Sequence, residues 1–230
     1  MQFKVSELFA SVQGEGPSAG APATFLRLAQ CNLHCVWCDT KYTWDWTLYR
    51  FEDEVRNQSV SDVARRIREL SNDRLVVTGG EPLLQDDAIV ELLGLLDAGA
   101  RPFVEVETNG TIAPNAALTE RIDQWNVSPK LANSGDPERL RSKPDVLHAF
   151  RATGRAFLKL VVETATDADE AHALVRSLDW PEERVFLVAQ ASNRSALAER
   201  APLVSAEALR RGFRYSPRLH IERWDGARGV

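Results

Sequence analysis

The chain has 230 residues, 44% of them hydrophobic, with 33 acidic and 28 basic side chains and a formal net charge of -5. That is enough apolar content for one core, and a single domain spanning residues 1–230 fits the length. No run of lysines or arginines offers a polyanion-binding face, which excludes nucleic acid as an expected partner; no apolar run is long enough to cross a bilayer, so a soluble cytoplasmic protein is expected.

Residues 3 to 12 alternate loosely (Phe3, Val5, Leu8, Phe9, Val12) before Gln13-Gly14-Glu15-Gly16-Pro17, where glycine and proline break any regular element. Taken alone, that loop is an ordinary turn. A β-type run, Ala23 to Ala29, follows, with Arg27 interrupting its apolar character. On a strand covered on both faces such a charge is costly unless paired, so Arg27 either faces an anionic ligand or binds a carboxylate of the protein.

All three cysteines of the chain then fall within eight residues, as Cys31-Asn32-Leu33-His34-Cys35-Val36-Trp37-Cys38. Three thiolates on one loop can point at one centre, as ligands of a metal or cluster must. In an iron-sulfur cubane each iron normally takes one cysteine, so three leave one iron open to another ligand. A Cys3His zinc site completed by His34 is a second reading, disfavoured because His34 directly precedes Cys35. An odd, tightly spaced set suits ligation better than a disulfide, and reduced thiolates suit a reducing compartment.

Val60, Val63, Ala64, Ile67 and Leu70 recur at helical spacing and predict an amphipathic surface helix over 60–70. A strand at Leu75–Thr78 runs into Gly79-Gly80-Glu81-Pro82, and the apolar residues from Leu83 to Leu96 predict a helix that stops near Gly99. Two adjacent glycines at a strand end let a ligand approach the backbone, and the proline starts the helix. Further strands are predicted at Pro102–Glu107, Trp125–Val127, Phe157–Val162 and Val185–Gln190, with helices near 167–178 and 195–211. Strand then helix, about six times over, gives an α/β fold with a parallel sheet; periodicity does not choose between a barrel and an open doubly wound sheet. The polar motifs sit at strand C-terminal ends, where a barrel keeps its active site. The tail from Arg218 to Val230 is read as a frayed end and His220 as a packed or surface histidine.

The Cys-x3-Cys-x-aromatic-Cys pattern, with Trp37 as the aromatic, resembles the signature of radical S-adenosylmethionine enzymes, and Gly79-Gly80-Glu81-Pro82 resembles the family motif that receives the methionine amino group. More narrowly, Glu7-Leu8-Phe9, Gln13 to Gly16, Arg27, Cys38-Asp39-Thr40, Thr78 to Pro82, Glu107-Thr108-Asn109-Gly110, Ser128-Pro129-Lys130 and the Arg-Gly-Val end are similar to the 7-carboxy-7-deazaguanine synthase family. The resemblance covers most of residues 6–130 and the tail.

It implies a partial (β/α)6-type barrel, a 4Fe-4S cluster on Cys31, Cys35 and Cys38, S-adenosylmethionine on the open iron, and a 5'-deoxyadenosyl radical. It also implies contraction of 6-carboxy-5,6,7,8-tetrahydropterin to 7-carboxy-7-deazaguanine with loss of ammonia, in queuosine biosynthesis. By the same resemblance Val12, Gln13, Gly14, Arg27, Thr78 and the carboxylate of Val230 contact the pterin; a guanidinium fork suits a substrate carboxylate. Trp37, Asp39, Gly80, Ser128, Pro129, Lys130 and Gln190 line the cofactor site, and Thr40 offers its hydroxyl to Mg2+. Gln190 is followed by Ala191, where the family often has proline. Glu15 and Glu81 are assigned structural roles on backbone amides. A homodimer and an electron donor such as a flavodoxin are expected. The rival readings are an activase that modifies a partner protein and a non-enzymatic zinc module.

Overall fold

The computed structural model describes residues 1–97 and 101–230, so the helix end expected near Gly99 lies outside the described residues. Strand β1 (Gln2–Val12) leads through the Gln13 loop to β2 (Pro22–Leu28), and the cysteine loop follows. A short helix α1 (Phe51–Glu54) and an edge strand β3 (Arg56–Ser59) precede α2 (Val60–Leu70). The α2 boundaries are those the periodicity predicts. Ser59 caps its N-terminus by accepting from the Asp62 amide at 3.1 Å, and Val60, Val63, Ala64 and Ile67 face the core.

The chain continues as β4 (Arg74–Gly79), α3 (Asp86–Leu96), β5 (Phe103–Thr108), α4 (Ala116–Arg121) and β6 (Gln124–Val127). It closes with α5 (Glu138–Arg141), α6 (Pro144–Ala152), β7 (Ala156–Val162), α7 (Ala165–Ser177), β8 (Val185–Ala189), α8 (Arg194–Arg210), β9 (Arg214–Ser216) and α9 (Leu219–Trp224). The predicted helix from Leu83 begins instead as a 3-10 turn over Pro82–Gln85. The tail, which its terminal position alone would leave frayed and the resemblance brings into the site, carries α9.

Among the described residues one nine-stranded sheet runs in the order β3-β1-β2-β4-β5-β6-β7-β8-β9. From β2 onward every pairing is parallel, whereas β1 runs antiparallel to both β2 and β3. The antiparallel edge was not foreseen, because a β-type pattern carries no direction. The sheet does not close: β3 and β9 are its edges. Yet Arg27 on β2 and Val188 on β8 line one cavity, so the sheet is curled into a partial barrel.

Period two sorts the strand residues. Leu26, Leu28, Leu75, Val77, Val104, Val106, Trp125, Val127, Leu158, Leu160, Val185 and Leu187 enter the main core. The alternate positions point into the barrel, where Phe25, Arg27, Thr78, Glu107, Ser128, Lys159, Val161 and Val188 line the cavity. Below them the fully buried Glu105 accepts from Gln124 Nε2 at 3.0 Å and Asn126 Nδ2 at 2.9 Å and pairs with Arg74. The barrel floor is therefore a hydrogen-bonded polar plug.

Candidate active site

The cysteine loop leaves the C-terminal end of β2 and is moored on its neighbours by backbone contacts. Gly80 N donates to Leu28 O at 3.0 Å, Glu81 N to Gln30 O at 2.8 Å, Val36 N to Ser134 O at 2.9 Å and His34 N to Asp136 Oδ1 at 2.9 Å. The two glycines make this approach possible. A Cβ on Gly79 (φ +137) would sit 2.0 Å from Leu28 O, and one on Gly80 would sit 2.1 Å from Gln30 O. What comes close to Gly79-Gly80 is thus first the cysteine-loop backbone itself. Glu81, fully buried, completes the joint by accepting from the Leu83 and Asn109 amides at 3.1 and 2.7 Å and from Thr108 Oγ1 at 2.8 Å.

All three cysteines line the same cavity of about 440 Å³. Burial pushes the Cys31 thiol up to about 11 and that of Cys35 up to about 12, so both are protonated until an electrophilic centre displaces the proton. Trp44 Nε1 donates to Cys38 Sγ at 3.3 Å and Cys35 Sγ donates to Asp136 Oδ2 at 3.2 Å. Among the described residues no three Cys, His, Asp or Glu side chains converge on a single ion. A cluster whose irons are each ligated separately needs its thiolates apart, and three soft sulfurs facing one cavity fit it.

The other expected cofactor-side residues gather here with one exception. Lys130 Nζ donates to Ser128 Oγ at 2.9 Å and lies 5.6 Å from the centre of the Trp37 ring. Asp39 accepts from Arg218 Nη2 at 2.6 Å; desolvation opposes its charge, and the guanidinium holds its carboxyl below the ordinary value. Thr40 Oγ1 lies 3.6 Å from Cys38 Sγ, Gly80 and Gln190 both line the cavity, and Gln190 O accepts from Arg200 at 2.9 Å. Pro129 is buried and is not part of the wall.

The opposite wall is built from charge. Arg27 Nε donates to Glu7 Oε2 at 2.7 Å, so the protein carboxylate is one of its partners. Its two η nitrogens have no hydrogen-bond acceptor among the described residues and stand on the cavity wall. Gln13 is buried, 3.4 Å from Glu107 Oε1, with its carbonyl oxygen accepting from the Glu15 amide. Gly14 packs so closely that a Cβ would lie 2.2 Å from His220 Nδ1; the Gln13 loop is therefore more than a turn. Thr78 Oγ1 donates to Glu107 Oε2 at 2.8 Å, and Val12 and Val230 complete this side.

Several of these residues escaped the sequence reading. Lys159 Nζ bridges Glu15 at 2.8 Å and Glu107 at 3.1 Å, and Arg218 Nε reaches Glu15 at 2.7 Å. Glu15 therefore pairs with side-chain cations, not with backbone amides, while Glu81 has the amide role expected. Burial would raise the Glu15 and Glu107 carboxyls, but Lys159, joined at Glu15 by Arg218, holds both below the ordinary value. His220, expected to be packed or superficial, lines the cavity, and burial lowers its pKa. A signal for Lys159 was present: it is a lone cation in the apolar strand Phe157–Val162, as Arg27 is in β2.

The sequence profile of the radical SAM superfamily matches residues 27–176. The 7-carboxy-7-deazaguanine synthase of Pyrobaculum aerophilum is 39% identical over 229 residues, covering 99% of this chain and 97% of the relative. That of Halobacterium salinarum is 35% identical, covering 97% and 91%. Among solved structures, the crystal structure of QueE from Escherichia coli superposes with a TM-score of 0.71 at 27% identity, covering 94% of this chain and 93% of that one.

Proposed function

Because the chain belongs to the 7-carboxy-7-deazaguanine synthase family of the radical SAM superfamily, we propose that its cavity binds 6-carboxy-5,6,7,8-tetrahydropterin and yields 7-carboxy-7-deazaguanine with loss of ammonia, in queuosine biosynthesis. The observation that carries this reading is a single cavity walled on one side by Cys31, Cys35 and Cys38 and on the other by Arg27, Gln13 and Glu107. A 4Fe-4S cluster with bound S-adenosylmethionine would supply radical chemistry there, abstraction of a hydrogen atom, with Mg2+ as a further cofactor.

The chain's own residues bind, orient and screen. Arg27, held at Nε by Glu7, turns its free η nitrogens to a carboxylate such as the one on the pterin. Glu107, kept ionised by Lys159, can accept from the N–H edge of a pterin ring, with Val12, Gln13, Gly14 and Thr78 beside it. On the cofactor side Cys31, Cys35 and Cys38 would hold the cluster, and Trp37, Asp39, Gly80, Ser128, Lys130 and Gln190, which line the same cavity, would bind S-adenosylmethionine, with the buried Pro129 between Ser128 and Lys130 in sequence. Thr40 places a hydroxyl where a hard cation takes oxygen. Val230 and the residues before it cover the mouth and limit water. A homodimer and a flavodoxin-type donor complete the reading. An activase acting on a partner protein would have no use for the Gln13 loop or Arg27, and no particular contact favours it.

The test is anaerobic reconstitution with iron and sulfide, then incubation with S-adenosylmethionine, reductant, Mg2+ and the carboxypterin, with products read by mass spectrometry. Carboxydeazaguanine is expected; cofactor cleavage without it would remove the substrate assignment. Arg27→Ala should raise KM on the order of 10- to 100-fold with iron content unchanged. Loss of iron with KM retained would contradict the Arg27 role.

A further inference from the structure

After α9 the chain has almost no regular structure of its own: residues 226–230 all line the cavity while 226–229 are also exposed to solvent, which puts them at its rim, and Gly226 and Gly229 take left-handed backbone conformations (φ +78 and +66). Two contacts among the described residues hold the start of this segment: Gly226 packs where a Cβ would be 2.6 Å from Ser192 O, and the Ala227 amide donates to Trp224 O at 3.0 Å. Beyond them Arg228 leaves the tail for the stretch that follows the cysteine loop. Its guanidinium carbon lies 3.7 Å from the centre of the Tyr42 ring and 5.4 Å from that of Tyr49, and Nη1 donates to Glu54 Oε2 at 3.0 Å.

Tyr42 has a second partner. Its hydroxyl donates to Glu7 Oε2 at 2.8 Å, the oxygen that also accepts from Arg27 Nε at 2.7 Å. A chain of contacts thus runs from tail to substrate wall: Arg228 on the Tyr42 ring, the Tyr42 hydroxyl on Glu7, and Glu7 on Arg27. Arg228 itself remains 45% exposed, and its ring and carboxylate partners are of the kind that bind weakly near water. A reversible clasp needs such a balance, because the mouth must open to admit substrate.

We propose that Arg228 is a positioning residue, latching residues 226–230 over the cavity onto Tyr42, Tyr49 and Glu54 and, through Tyr42 and Glu7, tying closure of the tail to the orientation of Arg27. The second half of this inference rests on the substrate role given to Arg27 above; the first half stands on the tail contacts alone.

The experiment pairs hydrogen–deuterium exchange of residues 225–230 with steady-state kinetics on the reconstituted full-length protein and three variants. Arg228→Ala should speed tail exchange about tenfold and raise KM for the carboxypterin by a similar factor, with a smaller change in kcat. Glu54→Gln should show the same pattern more weakly. Tyr42→Phe keeps the ring and loses the hydroxyl, so tail exchange should stay slow while KM rises several-fold. Unchanged exchange in Arg228→Ala would overturn the latch, and unchanged KM in Tyr42→Phe would overturn the link to Arg27. If the unmodified protein made no carboxydeazaguanine the substrate assignment would fall, and the exchange measurement would still decide the latch.

Discussion

The two walls of the cavity are held by different physics. On the cysteine side the closest approach is backbone on backbone: the loop lies on Gly79 and Gly80, Glu81 serves backbone amides and a threonine hydroxyl, and Asp136 accepts from the His34 amide and the Cys35 thiol. On the opposite side the contacts are side-chain charges, with Glu107, Lys159, Glu15 and Arg218 joined in one line that ends on Asp39 of the cysteine side, and Glu7 with Arg27 in another. Burial wins at Glu81, whose pKa is raised, and loses at Glu15 and Glu107, whose pKa values are lowered by neighbouring cations. A wall built on backbone sterics tolerates no added volume, whereas a wall built on ion pairs tolerates no unpaired charge.

The sharpest way to break the comparison is Lys159→Met. It strands Glu107 in a buried site and leaves Glu15 with Arg218, and removing one partner of a buried ion pair costs about 3–5 kcal/mol. Chemical denaturation should show a loss of that size, together with a raised KM, while reconstituted iron per chain stays near its normal value. Concurrent loss of iron would mean that the two walls are not independent.

The converse substitution is Gly80→Ala. The added methyl meets Gln30 O and Cys31 Cβ, an overpacking that costs about 1–3 kcal/mol and falls on the loop that must present three thiolates. Iron retention should drop roughly tenfold, since 1.4 kcal/mol is a factor of ten, and the global unfolding midpoint should move less than in Lys159→Met. Normal iron content would show that the loop can retreat from the glycine.

This division explains what was legible in the sequence. Cys31, Cys35 and Cys38 are legible because they share one short stretch, and Gly79-Gly80 because the pair is a local motif at a strand end, although the two meet only through the parallel pairing of β2 with β4; strand-helix alternation revealed the sheet that carries them. The charged wall is assembled from residues as far apart as Glu15 and Arg218. Local pattern says nothing about such a pair; only Arg27 and Lys159, as cations in apolar strands, left a trace. The antiparallel direction of β1, the 3-10 turn after Glu81 and the ordered tail depended on tertiary contacts. Glu15 read as an amide-bonding residue because its cations come from β7 and from the start of α9.

The smallest expected effect is the pH dependence of stability, and it carries the sign of the charged wall. For Glu15, Glu107 and Asp39 the folded pKa lies below the ordinary value of 4.5 for the glutamates and 3.8 for the aspartate. Each therefore contributes stability that is fully present above that ordinary value and is lost as pH falls through the folded one. Glu81 has the opposite sign: its folded pKa is raised, so its contribution declines as pH rises from 4.5 toward the folded value. The unfolding free energy should thus dip below pH 4, by up to about 1.4 kcal/mol per pH unit for each group titrating. In Lys159→Met the onset of acid loss should move to higher pH, because Glu15 and Glu107 no longer have that cation to hold them ionised. Urea titrations at pH 3.5, 4.5, 5.5 and 7 on both proteins decide it; superimposable acid limbs would show that Lys159 does not set these carboxylates.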